Sequence, residues 1–109
     1  MITITRLRIV EAVDRSPEPL GVRKISAITG ASMAEVWRQI PLLVDMKVLV
    51  PVKKGNKTRY LVNRKSPFYP LFVQLLEKID QYRWLFGLSF EEALSKLESA
   101  YVSGPFALS

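Results

Sequence analysis

Lys53, Lys54, Lys57 and Arg59 crowd four cations into one short stretch around Gly55-Asn56. Like charges this close repel one another, and phosphates relieve them with release of counterions. An ordinary lysine-rich solvent turn is the plainer alternative. Upstream, Ser32, Met33, Ala34, Trp37, Arg38 and Gln39 occupy the exposed opening turns of an amphipathic pattern. Arg38 carries the fork that chelates guanine O6 and N7, and Gln39 the amide that pairs with adenine N6 and N7. A solvated or phosphate-facing guanidinium is the alternative for Arg38. Trp37 has three possible uses: packing on sugars, filling a core edge, or anchoring a protein partner. Arg23 and Lys24 open a further helix, where amides and side-chain cations together grip phosphate. Asn56, at the tip of the basic turn, adds a minor-groove or phosphate contact.

Catalytic chemistry has little to work with. The chain has no cysteine and no histidine, which removes thiolate and imidazole nucleophiles, bases and metal ligands. The acid pairs Glu91/Glu92 and Glu77/Asp80 stand beside no base, metal ligand or glycine-rich phosphate loop. The expectation is a non-enzyme with no cofactor and no metal. Charge is unevenly placed. Residues 1–65 hold 13 Lys/Arg against 5 Asp/Glu, a net of +8, whereas residues 66–109 hold 3 against 5, a net of −2. A basic half suits a polyanion, and the mildly acidic remainder suits protein contact. The opening Met1-Ile2-Thr3-Ile4-Thr5-Arg6 lacks the order of a signal peptide, and no apolar run approaches the roughly 20 residues of a membrane span. A cytoplasmic address without membrane contact is expected.

The elements that must position these residues follow from periodicity. Leu7, Val10 and Val13, with Ile9, predict a helix over about 5–15, ended by Ser16-Pro17-Glu18-Pro19. A second helix runs over about 22–29 with Ile25 and Ile28 inward. Ser26 and Gly30 follow the spacing of a helix-turn-helix: a small residue where two helices cross, then a glycine where the turn favours positive φ. The third helix opens with the capping box Ser32-Met33-Ala34-Glu35 and buries Val36, Ile40 and Leu43. Pro41 predicts a kink within it, and Lys47 stands where a terminating glycine is usual. Strands at 48–52 and 58–62 flank the basic turn, and Pro51 confines its strand to an edge or to an amide facing away from the ladder. Phe68, Phe72, Leu75, Ile79, Tyr82 and Phe86 form a heptad-like seam, stopped by Gly87. Ser89-Phe90-Glu91-Glu92 caps a last helix with Phe90, Ala93, Leu94, Leu97 and Tyr101 on one side, ended by Ser103-Gly104-Pro105 and loose residues beyond.

This order of two helices, a Thr29-Gly30-Ala31-Ser32 turn, a recognition helix and a hairpin resembles the winged helix-turn-helix transcription regulators, near the broad ArsR- and MarR-like groups. The run Asn63, Arg64, Pro67, Phe68, Tyr69, Pro70, Leu71 is similar to one that follows the wing in small, largely archaeal regulators of this kind. The resemblance covers about residues 5–75 and implies DNA binding by recognition helix and wing, often as a dimer. Ser26 for the more usual alanine, Lys47 for glycine, and Pro41 within the recognition helix depart from the pattern. The metal sites of ArsR-type sensors have no residues here to form them.

The expected fold class is therefore mainly α with a β-hairpin wing: a winged helix-turn-helix over 1–65 and C-terminal helices over 66–109 for dimerisation. The expected function is a sequence-specific double-stranded DNA-binding transcription regulator. Recognition helix 32–46 would lie in the major groove, and wing 53–59 on phosphates or in the minor groove. The seam from Phe68 to Phe86 would join a homodimer, or pack back on the first helix and leave a monomer. A winged-helix module that docks a protein partner, and a non-specific chromatin-like DNA binder, are the alternatives.

Overall fold

The computed structural model describes residues 3–103. Five helices and one hairpin follow in the order α1 (Ile4–Arg15), α2 (Val22–Thr29), α3 (Met33–Asp45), β1 (Leu49–Lys54), β2 (Lys57–Val62), α4 (Tyr69–Phe86) and α5 (Phe90–Ser103). The chain divides into two compact units, Met1–Phe72 and Val73–Ser109. The predicted fold class, with helices and an antiparallel two-stranded wing, is the one observed.

In the first unit the periodic residues do what their spacing requires. Leu7, Ile9, Val10 and Val13 of α1, Ile25 of α2, and Val36, Ile40 and Leu43 of α3 are all buried. Each such side chain contributes about 1.5–3 kcal/mol by leaving water. Ile28 differs: it is exposed rather than inward. Thr29 takes the buried place instead, because its hydroxyl can be satisfied locally, donating to the Ile25 carbonyl at 2.7 Å and accepting from the Ala31 amide at 3.3 Å. The α2–α3 turn behaves as predicted. Gly30 ends α2 at φ 78°, and the Ser26 hydroxyl donates to the Ala31 carbonyl at 2.6 Å.

Ser32 caps α3, its hydroxyl accepting from the Glu35 amide at 3.1 Å. The return half of the box is replaced. The Glu35 carboxylate accepts from the Gln39 amide nitrogen at 2.9 Å and pairs with Arg38 at 3.0 Å. Pro41 lies within α3, which continues through it to Asp45; without a proline N–H, the helical bond that Trp37's carbonyl would accept is missing. The end of α3 is a Schellman motif. The Lys47 amide donates to the Val44 carbonyl at 2.9 Å and the Val48 amide to Leu43 at 3.0 Å, with both Leu43 and Val48 buried. Lys47 holds the left-handed position at φ 62°, which costs a side-chain-bearing residue about 1–2 kcal/mol. Lys47→Gly relieves that strain, offset only in part by the glycine's greater freedom in the unfolded chain. It is expected to raise stability by about 0.5–1 kcal/mol in thermal or urea melts; no gain would mean that the lysine side chain stabilises the turn.

The hairpin pairs Leu49 with Val62 through to Lys54 with Lys57, slightly longer than predicted on the turn side. Gly55 opens the two-residue turn at φ 66°, the position that type II′ turns reserve for glycine. Tyr60 exchanges both backbone hydrogen bonds with Leu20, at 2.8 and 3.1 Å. Its pair with Pro51 on the other side is therefore a non-hydrogen-bonded one, and the proline deletes no ladder bond.

The segment after the wing is tied down by side chains. Ser66, buried, donates to the Met46 carbonyl at 3.0 Å and accepts from the Phe68 amide at 3.1 Å. Asp14 of α1 pairs with Arg64 at 3.2 Å and accepts from the Tyr69 hydroxyl at 3.0 Å. The Arg64 guanidinium is held above its usual pKa, first by its hydrogen bond with Tyr69 and then by the Asp14 charge.

The aromatic seam is unevenly covered. Phe72 and Ile79 are fully buried, Leu75 and Tyr82 partly so, and Phe68 and Phe86 are exposed. Phe68 precedes the first residue of α4 and so is not in its helical register. The exposed apolar group at the other end is Trp84, Leu85 and Phe86, with Tyr82 and Phe86 edge to face at 5.7 Å. In the second unit, Phe90, Ala93 and Leu97 of α5 are buried and Leu94 is partly buried, as their spacing predicted. The Ser89 box is complete: the hydroxyl accepts from the Glu92 amide and the Glu92 carboxylate from the Ser89 amide, both at 3.1 Å. These bonds, the backbone one foremost, hold the Glu92 carboxyl below the usual carboxylate range. The Tyr101 side chain and the residues beyond Ser103, expected from the sequence to be loose, lie outside the described residues.

Candidate nucleic-acid interface

Three local structures bring the basic residues together. The Leu20–Tyr60 bridge lays the start of α2 along β2. Gly21, the α2 N-cap, supplies no side-chain cap, so Arg23 and Lys24 stand beside helix amides that no side chain bonds. The tight α2–α3 turn then presents the first turns of α3 on the same side. The result is an open groove of about 570 Å³. Arg23 and Lys24 of α2, Met33 and Trp37 of α3, and Asn56, Lys57, Thr58 and Arg59 of the wing all line it.

Of the residues singled out in the sequence, Arg23, Lys24, Met33, Trp37, Asn56, Lys57 and Arg59 line this groove. Ser32, Ala34 and Arg38 are exposed on α3 outside that lining, as are Lys53 and Lys54 on β1. Strand register separates the wing cations. Lys54, Lys57 and Arg59 share one face of the ribbon, while Lys53 lies on the other with its partner Thr58 and the buried Tyr60. Lys54 directly opposes Lys57, a like-charge pair that costs stability unless an anion lies near.

Gln39 is placed differently from the sequence expectation. It is only 8% exposed. Its amide oxygen accepts from Arg6 Nε at 2.7 Å, and its amide nitrogen donates to Glu35. Pairing with adenine would break both bonds, so the geometry makes Gln39 a link between α1 and the capping carboxylate. The signal for this was its step of three from Val36 and its place beside Ile40, which put it at the margin of the inward stripe. Thr58 and Gly21 were not singled out in the sequence; only the hairpin register and the Leu20 bridge bring them to the groove. Among the described residues no group of acidic side chains is arranged to hold a metal ion, and no helix is long and apolar enough to cross a membrane.

No family model matches the sequence, and no curated protein matches it. Among solved structures, the chain is similar to the transcriptional regulator SlyA, with TM-score 0.59 and 22% identity over 91% of this chain and 70% of that one. It is similar also to RV1404 from Mycobacterium tuberculosis, with TM-score 0.59 and 12% identity over 99% and 76% of the two chains. A third likeness, to human N-acetylserotonin methyltransferase, has TM-score 0.52 and 20% identity but covers only 34% of the enzyme. The architecture that carries the groove is the winged helix.

Proposed function

We propose that the chain is a sequence-specific double-stranded DNA-binding regulator of transcription. The observation that carries this reading is the groove itself. Cations from α2 and from the wing line one open space with the exposed start of α3, so phosphate contacts and a helix in the major groove fall within reach of one duplex. The likeness to the transcriptional regulator SlyA supports it. Recognition helix 32–46 reads base edges, and the wing 53–59 contacts phosphates or the minor groove. The reading includes no catalytic step, no cofactor and no membrane contact, and its address is the cytoplasm.

Arg38 is the proposed direct base reader. It is exposed on α3, and Glu35 holds its guanidinium at 3.0 Å. Selection from a random duplex library is expected to return a preferred site. Against that site, Arg38→Ala is expected to cost about 1–3 kcal/mol and to relax preference at one base pair. Equal weakening on all duplexes would make Arg38 a phosphate contact.

We further propose a homodimer, each protomer setting one recognition helix into successive major grooves. Phe72 and Ile79 are fully buried, and Trp84, Leu85 and Phe86 are the most exposed large apolar group of α4, which makes them the proposed surface for a second copy. Sedimentation at micromolar concentration is expected to show a dimer that Trp84→Ala with Leu85→Ala weakens; a wild-type monomer would remove the paired half-site arrangement. The exposure of Trp37 also suits a protein-docking module. Its sharing of a groove with four cations favours DNA.

A further inference from the structure

Met33 and Trp37 lie four residues apart on α3, so their side chains occupy one face, a turn apart. They are 42% and 54% exposed, and both line the groove. Arg23, Lys24, Lys57 and Arg59 line the same groove. A duplex whose phosphates sit on those cations carries the two apolar side chains against whatever lies between the strands. In the major groove nearly every base-edge group there is a hydrogen-bond donor or acceptor, and an apolar side chain pressed on one would leave it unpaired. The thymine 5-methyl is the apolar exception.

We propose that Met33 and Trp37 are specificity-determining residues that pack on thymine methyl groups, so that the preferred site carries thymine where α3 opens. The inference rests on the DNA-binding reading above. It assigns sequence information to a feature that a purely electrostatic contact leaves unused.

The test changes the DNA rather than the protein, which keeps folding out of the comparison. The full chain is first used to select its preferred duplex. Each thymine of that site is then replaced singly by deoxyuridine, which removes one methyl and keeps every hydrogen bond. Affinity is measured for wild type and for the Met33→Ala/Trp37→Ala chain. Wild type is expected to lose about fourfold at one or two positions, the factor for one buried carbon. The double variant is expected to bind thymine and uracil sites alike at those positions. Uracil tolerated everywhere by wild type would overturn the proposal, as would a preferred site without thymine. A loss of the same size in both proteins would overturn the assignment to these residues. Failure to select any site would overturn the DNA-reading proposal itself, a result distinct from normal selection with indifference to the methyl.

Discussion

Replacing Arg23, Lys24, Lys57 and Arg59 together by alanine is expected to flatten the salt dependence of duplex binding by roughly 3–4 units, because each phosphate contact contributes about 0.9 to the slope of log affinity against log salt. Near 0.1 M salt the same loss amounts to roughly a thousandfold in affinity. The four residues come from two elements distant in sequence, yet line one groove. All four are exposed, so their removal should leave the fold intact, as circular dichroism and melting would show. Lys53→Ala with Lys54→Ala serves as the comparison. These two cations lie outside the groove lining, and Lys53 is on the opposite face of the ribbon from Lys57 and Arg59. Their slope change is expected to be the smaller per charge removed. An unchanged slope in the fourfold variant would take the groove out of the contact.

Leu43→Ala is expected to cost about 2–5 kcal/mol, the range for removing a buried leucine side chain and leaving a cavity. Leu43 is fully buried and also accepts, through its carbonyl, the amide bond from Val48 that closes α3. The helix that carries it contains Pro41 and therefore lacks one of its own hydrogen bonds. It leans on its inward stripe more than an unbroken helix would. For a small unit whose total stability is of order 5–10 kcal/mol, this loss is a large fraction. Urea denaturation should show the midpoint falling with little change in slope, and DNA binding should fail at temperatures where wild type still binds. A cost below about 1 kcal/mol would mean that the neighbours collapse into the space, and that α3 is held by its caps rather than by its core face.

Much of this architecture was legible because it rests on short-range chemistry. The inward stripes of α1 and α3, the αL glycine at 30, the Ser89–Glu92 box and the turn at Gly55-Asn56 each depend on residues within a few positions of one another. Lys47 too was recognised as a residue in a glycine's place, and its φ of 62° is what the Schellman motif demands. Sequence and structure part where a distant partner, a competing neighbour or an element boundary decides. Gln39 reads as a base reader on α3 alone, but Arg6 of α1 takes its oxygen. Glu35 reads as a reciprocal cap, but Gln39 and Arg38 take its carboxylate. The aromatic seam reads as a heptad, yet Phe68 falls before the helix begins. The basic groove was visible as three separate clusters of residues. That α2 and the wing enclose one space followed only from the Leu20–Tyr60 bridge, which links residues 40 positions apart.

The central claim is tested most directly by fluorescence anisotropy of a labelled random-sequence duplex, titrated with the purified chain from low to moderate salt. Binding in the micromolar range that weakens steeply as salt rises is the predicted result. No binding at the lowest salt would contradict the account and leave the winged helix as a protein-docking module, with Trp37 as the first residue to examine.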